Sequence, residues 1–187
     1  MQFGLNFFPC VGPEQKSAER YFREAMHLCS LTDELGYSHI RQVEHYFHPY
    51  GGYSPNPLIF LTAAAMRTKN TRLITGAVLP AFNKPLKMAG EIGMLDGISN
   101  GRLEVGFARA FLPHEFAAFG VSLDESRRRF TEGLSQITML LKNRQELSDI
   151  SDCLSSIISE QRKVREVSCL LYETSQQSIC WNTITKP

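Results

Sequence analysis

The stretch KPLKMAGEIGMLDGISNGRLEVGFA, residues 84–108, contains the unit from which this chain is built. Its first part, Lys84 to Ile98, predicts a helix, and the Asn100–Gly101 pair that follows predicts a tight turn. The segment RLEVGFA, residues 102–108, predicts a strand. A helix that leads through a short turn into a strand is typical of proteins in which strands and helices alternate.

The same alternation extends in both directions from this stretch. Strands are also predicted at FGLNFF (3–8), YSHIRQVEHYF (37–47) and RLITGAVLP (72–80). Further helices are predicted from a Ser17 cap to Gly36, over PNPLIFLTAAAMRTK (55–69), and from the capping box Ser122–Glu125 to about Lys142. The first strand is largely apolar and aromatic, so we expect it to be buried on both faces.

Strands separated by helices of this length imply parallel pairing with right-handed crossovers. Two folds are built in this way, the open doubly wound sheet and the (β/α)₈ barrel. An open dinucleotide-binding sheet carries GxGxxG after its first strand, and FFPCVGPEQ (7–15) does not match it. We therefore predict an α/β fold that is a partial TIM (β/α)₈ barrel of about four βα units, residues 1–142.

The composition changes after Asn143. All 13 glycines and all 12 phenylalanines precede that point, whereas the remaining residues hold eight serines and the single tryptophan. We predict that residues 143–187 form a divergent C-terminal tail, helical or disordered. Apolar residues between Leu147 and Leu171 recur near helical spacing, which indicates one amphipathic helix.

A complete barrel needs roughly 250 residues, so the chain supplies about half of one. Four parallel strands leave two sheet edges and an open interior, both of which are aggregation hazards unless covered. We expect the cover to be a second copy in a homo-oligomer, the tail helix or another protein. The alternative is that the chain is an incomplete product of a longer gene.

Net charge and composition limit the classes of partner and the cellular location that we expect. The net charge is +1, which gives no general case for nucleic acid or a membrane surface as partner. The chain has no apolar run of about 20 residues and no basic leader, so we expect a cytoplasmic protein. Five cysteines without a CxxC pair predict buried thiols, with Cys10 and Cys29 as packing residues.

The stretch VEHYFHPYGGYSPNP, residues 43–57, places Glu44 and His45 at the predicted end of the second strand. Catalytic side chains of parallel barrels gather at the carboxyl ends of the strands. Since histidine titrates at about 6.5, His45 is a candidate general base. Two alternatives stay open, a metal site shared with His48, for which no third ligand is evident, and a structural histidine beneath the loop.

Two arginines predict an anion site near the fourth strand. Arg109 lies at the carboxyl end of that strand, and Arg127 lies in the first turn of the following helix. Guanidinium groups at a helix amino terminus favour a phosphate between them. The alternative is that Arg127, Arg128 and Arg129 form a solvated helix face. Glu115 is interpreted as an acid at a helix start, or as a residue that orients the loop.

Several motifs together resemble those of the bacterial luciferase-like, flavin-dependent monooxygenases. They are EHYF (44–47), ITGAVLP (74–80), LDGISNGRLEVGFARAF (95–111), HEFAAFG (114–120) and ESR (125–127). Their order and spacing match over residues 1–142. The resemblance implies a TIM barrel that takes reduced FMN from a separate flavin reductase and uses dioxygen to oxidise an aldehyde-like or other small organic substrate.

The resemblance also implies site residues. His45 matches the catalytic histidine, and Arg109 and Arg127 match arginines that contact the flavin phosphate. The stretch Thr75, Gly76 and Ala77 matches a non-proline cis peptide beneath the flavin. Ala108 replaces a cysteine that luciferase has near the flavin, which favours a general monooxygenase over light emission. No metal is implied.

Two other functions remain open at this point. Relatives with the same barrel use a deazaflavin to move hydride, and the first half of the barrel separates them poorly from the FMN enzymes. The second alternative is a non-catalytic half-barrel that acts as an interaction module through its sheet edges.

Overall fold

The structure, a computed structural model, describes residues 2–142 and the two strands at residues 168–171 and 180–183. The elements of the first part are β1 (Gly4–Phe7), α1 (Ala18–Ser30), β2 (His39–Gln42), α2 (Pro57–Ala65), β3 (Arg72–Val78), α3 (Pro85–Ile98), β4 (Leu103–Phe107), α4 (Pro113–Ala118) and α5 (Ser126–Lys142). Short 3₁₀ turns lie at Pro80–Phe82 and Leu123–Glu125. Strands β5 (Ser168–Leu171) and β6 (Cys180–Thr183) form an antiparallel pair.

The four strands β1 to β4 form one sheet in chain order, and every pair is parallel. This arrangement, with helices between successive strands, confirms the predicted α/β class. Register places Leu5, Ile40, Leu73 and Leu103 side by side in one row. The row belongs to the main hydrophobic core, together with buried residues of α2 and α3.

The next row of the sheet is Asn6, Arg41, Ile74 and Glu104, whose side chains take the opposite face because strand residues alternate. In a closed barrel this face is the interior. Asn6 is exposed and Leu5 is only half-buried, so β1 is not buried on both faces as predicted. The cause is that β1 is an edge of the described sheet, and nothing described covers its interior side.

Two charged side chains lock the sheet at the amino ends of its strands. The Asp33 carboxylate accepts hydrogen bonds from the backbone N–H groups of Lys69, Asn70 and Thr71, at 2.5, 3.2 and 2.8 Å. Although burial opposes it, these bonds and one from the Thr71 hydroxyl hold the pKa of Asp33 below its usual range. Asp33 thereby fixes the turn that leads into β3.

Arg102 fixes the chain ahead of β4 in a similar way. Its guanidinium donates to the carbonyl oxygens of Ser99, Thr71 and Ala65 at 2.8 to 2.9 Å, and to the hydroxyl of Thr68 at 2.8 Å. The ends of α2 and α3 and the start of β3 therefore converge on one side chain. Burial lowers the pKa of Arg102, but not enough to remove its charge.

Several boundaries differ from the predictions for local reasons. β2 ends at Gln42 rather than at residue 47, and α1 ends at Ser30, six residues before Gly36. Ser122 caps the 3₁₀ turn rather than α5 itself, which begins at Ser126. The bounds of helix α4 were not predicted, because its six residues are too few to show a helical period.

Most of the predicted tail helix, residues 147–171, lies outside the described residues, and its last four positions form β5. Cys29 is buried, which raises the pKa of its thiol to about 12, but Cys10 is exposed rather than packed. Within the described residues, no helix combines the length and the apolar character that crossing a membrane would need.

Candidate functional site

The predicted site residue His45 lies three positions after β2, at the carboxyl ends of the strands. Its Nδ1 lies 3.1 Å from Oε1 of Glu115, and both side chains are buried. Because an ionised carboxylate only accepts, this contact assigns the ring proton to Nδ1. Nε2 then carries a lone pair, and no hydrogen bond joins it to any residue of the described part of the chain. His45 is thus arranged to accept a proton.

Glu115 does more than begin a helix. Its Oε1 also accepts the backbone N–H of Tyr46 at 3.0 Å, so one carboxylate holds the ring of His45 and the backbone of the next residue. From the sequence, Glu115 was interpreted as an acid at a helix start or as a residue that orients its loop, and it does lie in the first turn of α4. A separation of 70 residues hid its contact with His45, and the folded chain brings α4 against the end of β2.

The loop after β2 closes around His45 through a single glycine. The N–H of His45 donates to the carbonyl of Ser54 at 3.1 Å, and the Ser54 hydroxyl donates to the carbonyl of Gly51 at 2.5 Å. Gly51 has a φ of +76°, and a Cβ built there would lie 2.7 Å from Cδ2 of His45. Only glycine meets both conditions, so Gly51 fixes how closely the loop approaches the ring.

Three aromatic rings surround the imidazole. Their centroids lie 5.6 Å (Phe8), 5.1 Å (Tyr50) and 6.2 Å (Phe111) from that of His45. They come from the segments after β1, β2 and β4, which confirms that these strand ends meet at one place. Tyr50 and Phe111 are partly exposed, so the rings offer an aromatic surface suited to an apolar or aromatic ligand.

Glu44 links the end of β2 to the connection between β3 and α3. Its carboxylate accepts from the Tyr46 hydroxyl at 2.5 Å, the Leu79 N–H at 3.0 Å and the Asn83 amide at 3.2 Å. Burial raises the pKa of Glu44 to about 7, although the three hydrogen bonds oppose the rise. The sequence placed Glu44 at the strand end, but gave no indication of these three partners.

The raised pKa of Glu44 predicts a pH dependence of stability. A carboxyl whose pKa rises from about 4.3 in the unfolded chain binds more protons when folded. The free energy of unfolding contributed by Glu44 therefore falls as pH rises from about 4.3 to about 7. We expect Glu44→Gln to lose this part of the decline, as measured by urea unfolding across that range.

Asp96 provides a matched control for this measurement. Burial raises its pKa to about 6, and neither of its carboxylate oxygens has a hydrogen bond partner among the described residues. Asp96→Asn should remove a decline that is complete at a lower pH than the one that Glu44 causes. Identical pH slopes in the wild type and in Glu44→Gln would contradict the assignment to Glu44.

Strand β3 is irregular at the predicted flavin stretch. Its pairing with β4 shifts between Thr75 and Val78, and the Gly76–Ala77 peptide bond is cis. The structure thus has a non-proline cis bond within the stretch that the resemblance indicated. Thr75 is buried and bonded through its hydroxyl to Gly106 at 2.9 Å, whereas Gly76 and Ala77 are half-buried.

The segment after β4 carries Ala108 and Arg109, both half-buried. The N–H of Ala108 donates to the carbonyl of Val78 at 3.0 Å, so this segment runs beside the end of β3. Ala110 then turns the chain with a φ of +67°. Arg109 thereby directly follows the residue that pairs with the end of β3.

The remaining basic residues lie on α5. Arg127 is exposed in the first turn, as predicted. Arg128 forms ion pairs with Glu125 and Glu132, and Arg129 pairs with Glu125. Arg128 and Arg129 therefore fit the predicted solvated face.

The metal alternative for His48 receives no third ligand. His48 is exposed, and its ring lies 4.6 Å from that of His114. In residues 2–142 no group of three histidine, cysteine or acidic side chains is placed to hold a metal ion.

The family profile for luciferase-like monooxygenases matches residues 1–151. The chain belongs to this family. The same family was inferred from the sequence motifs, and the match includes every site residue described above. The luciferase-like monooxygenases are oxidoreductases, and one curated relative of this chain is named a flavin-dependent monooxygenase.

Solved structures of similar proteins support the fold. The monooxygenase RslO1 from Streptomyces bottropensis is 59% identical, with a TM-score of 0.75, over 76% of this chain and 44% of its own. The FMN-bound oxygenating constituent of 3,6-diketocamphane monooxygenase from Pseudomonas putida is 27% identical, with a TM-score of 0.70, over 76% of this chain and 40% of its own. These similarities confirm the predicted partial barrel.

Among curated relatives, the oxygenase component of the flavin-dependent trigonelline monooxygenase of Acinetobacter baylyi is 34% identical over 69% of this chain. Similarity also reaches the coenzyme F420 dependent tetrahydromethanopterin reductase of Methanopyrus kandleri, 26% identical with a TM-score of 0.50 over 65% of this chain and 30% of its own. The chain spans 36% of the trigonelline enzyme's length and less than half the length of the structures above.

Proposed function

We propose that this chain is the oxygenase part of a monooxygenase that takes reduced FMN from a separate reductase. The oxygen acceptor is a small organic substrate, of which aldehydes are one class. The observation that carries this proposal is the His45–Glu115 pair, held at 3.1 Å after the carboxyl end of β2. When bound, the reduced flavin supplies the electrons that activate dioxygen.

The residues present fit a flavin. Gly76, Ala77 and Ala108 are small and half-buried, and the backbone bond from Ala108 to Val78 sets them side by side. The small side chains of Ala77 and Ala108 leave room for a planar ring. Arg109 on the adjacent segment and Arg127 at the start of α5 supply guanidinium groups, which bind phosphate oxygens in pairs. We assign the ring to the first set and the phosphate to the second.

In this proposal His45 is the residue that transfers a proton. Nε2 accepts a proton from the substrate or from the reacting oxygen, and the carboxylate of Glu115 stabilises the imidazolium that forms. Glu44 and Gly51 contribute by holding the two loops against the ring. The aromatic surround lowers the local dielectric, which strengthens the contact between His45 and Glu115.

An FMN titration of the purified chain, followed by flavin fluorescence, tests the proposal. We expect saturable binding that weakens about 10-fold to 100-fold in Arg109→Ala, because a charge-assisted contact with the phosphate is lost. Arg127→Ala should act in the same direction. Arg128→Ala is the matched control, since Arg128 is exposed and engaged by Glu125 and Glu132.

Riboflavin sharpens this test because it lacks the phosphate. Arg109→Ala should bind FMN and riboflavin with more nearly equal affinity than the wild type does. If the wild-type chain binds no flavin, or if Arg109→Ala weakens both ligands equally, the phosphate assignment fails.

A deazaflavin is the second candidate cofactor. The observation that favours it is the similarity to the F420-dependent reductase from Methanopyrus kandleri. A deazaflavin enzyme would transfer hydride and would not consume dioxygen. Oxygen uptake, measured after reduced FMN is mixed with the chain and candidate substrates, separates the two functions.

We also infer that a second copy covers the interior face of the sheet, which makes the protein a homo-oligomer. The observation behind this is the row of polar residues, including Asn6 and Glu104, on a face that a closed barrel would bury. Light scattering of the purified chain should give a mass above 21.1 kDa. A mass of one chain at micromolar concentration would support instead a half-barrel that docks on a different protein.

A further inference from the structure

Arg41 lies on β2 in the row that faces away from the helices. Its register partners are Asn6 on β1 and Ile74 on β3. The side chain does not stay within this row, because Nη2 donates to the carbonyl oxygen of Gly76 at 3.2 Å. Gly76 lies two positions further along β3 than Ile74, so the guanidinium points to the end of the sheet where His45 and Arg109 lie.

The contact between Arg41 and Gly76 is close. A Cβ built on Gly76 would overlap Nε, Cδ and Cγ of Arg41. The space that a side chain at position 76 would take is therefore filled by Arg41. The resemblance placed this glycine in the stretch beneath the flavin. The structure shows that Gly76 lets a guanidinium approach the backbone.

The charge of Arg41 is not balanced by the described residues. Its nearest acid in the same row, Glu104, forms an ion pair with Arg72, and no carboxylate of residues 2–142 lies within ion-pair distance of Arg41. The Nε of Arg41 is buried without a hydrogen bond partner. Leaving a charged donor in this state is unfavourable, and an anionic ligand would relieve it.

A nearby histidine responds to this excess of positive charge. Burial, Arg72 and Arg41 together lower the pKa of His39, which precedes Arg41 on the same face of β2. Because Arg72 is paired with Glu104 of β4, the charge on this face that has no acidic partner among the described residues is that of Arg41. This is the electrostatic character expected of a site for a planar anion, because a guanidinium both stacks on rings and donates to them.

We propose that Arg41 is a positioning residue that makes this site bind the reduced, anionic form of FMN more tightly than the oxidised, neutral-ring form. The inference rests on the proposed function. Reduced flavin carries a negative charge on its ring near neutral pH, whereas oxidised flavin does not. A cation beside the Gly76 carbonyl, with Nε left unbonded, favours the first of these two forms. Such a preference suits an enzyme that must capture a reduced cofactor from solution.

The test compares oxidised and reduced FMN. Dissociation constants are measured under anaerobic conditions for the wild type, Arg41→Met and Arg41→Lys, and the midpoint potential of bound FMN gives an independent readout. We expect the wild type to prefer reduced FMN by about 10-fold or more, which for a two-electron couple equals about 30 mV. Arg41→Met should lose most of this preference, and Arg41→Lys should keep most of it.

Arg72→Met is the matched control. Arg72 lies on the same face but pairs with Glu104 and makes no contact with Gly76. We expect its ratio of affinities and its midpoint potential to stay near those of the wild type. Circular dichroism and thermal unfolding verify that each variant is folded, and Arg41→Gln replaces Arg41→Met if the latter does not fold.

Each outcome decides the matter. If Arg41→Met weakens both forms of FMN equally and leaves the midpoint potential unchanged, Arg41 only shapes the site and the inference is overturned. If the wild type binds oxidised and reduced FMN equally, the inference is also overturned while the proposed function stands. If the wild type binds neither form, both fail together.

Discussion

Replacing His45 by alanine is expected to lower the rate of substrate oxygenation by about 10²-fold to 10⁴-fold, the usual effect of removing a general base. FMN affinity should stay within a few-fold of the wild type, since no part of the phosphate site is touched. The reason is the arrangement of the ring, with Nδ1 bonded to Glu115 and Nε2 left to accept a proton. Single-turnover kinetics with preformed reduced FMN separate this step from binding.

His27→Ala is the matched control for this variant. His27 is an exposed residue in the last turn of α1 and has no part in the site. We expect its turnover to equal that of the wild type. Because His45 is packed among aromatic rings, His45→Asn should accompany His45→Ala and show the same loss without a cavity. Full activity in either His45 variant would reject the role of His45.

Glu115→Ala is expected to have the second largest effect, a fall in kcat of about 10-fold to 100-fold. The substitution leaves two buried donors, the Nδ1–H of His45 and the N–H of Tyr46, without their acceptor. Loss of stability should accompany it, at about 1–3 kcal/mol for the unsatisfied groups. Chemical denaturation measures the loss of stability, and turnover measures the fall in kcat.

Glu115→Gln separates the effect of the negative charge from the effect of the hydrogen-bonding geometry. A glutamine oxygen can still accept from Tyr46 or from His45, but it supplies no negative charge to stabilise an imidazolium. We expect Glu115→Gln to recover most of the stability and little of the turnover. A variant that recovers both would show that Glu115 is structural only. The dissociation constant of FMN should stay constant through the series.

The alternation of strands and helices, and the strand ends that carry the site, were predictable. Both depend on residues that are neighbours in the sequence. The alternation of apolar strands and helices predicted β1 to β4, and the motif ITGAVLP placed the unusual peptide within Thr75 to Ala77. His45 was also located, since a histidine directly after a strand of a parallel sheet must lie at its carboxyl end.

The contacts that give these residues their properties were not predictable, because they join distant positions. Glu115 reaches His45 across 70 residues, and Glu44 reaches Leu79 across 35. Arg41 appeared in the sequence as one residue of a strand, and only the register of β2 against β3 shows that it lies over Gly76. Sequence spacing carries no information on such pairs until the sheet is assembled.

The prediction that β1 is buried on both faces was wrong for a related reason. Its composition is that of a strand covered on both sides, and composition reports the surroundings of the complete family fold. The described residues supply a cover on the helix side only, so Asn6 on the interior side is exposed. A prediction from residue types cannot distinguish a face that is covered within the chain from one that is covered by something else.

Asp33 and Arg102 have a consequence for laboratory evolution of this protein. They brace the amino ends of β3 and β4, while His45, Ala77 and Arg109 lie roughly 20 Å away, a distance estimated from the seven residues of β3. Effects of substitutions this far apart add rather than couple. Other positions of the loops after β2 and β4 can therefore be randomised to seek new substrates while the braced end keeps its mutational robustness, provided that Glu44, His45, Gly51, Arg109 and Glu115 are left unchanged.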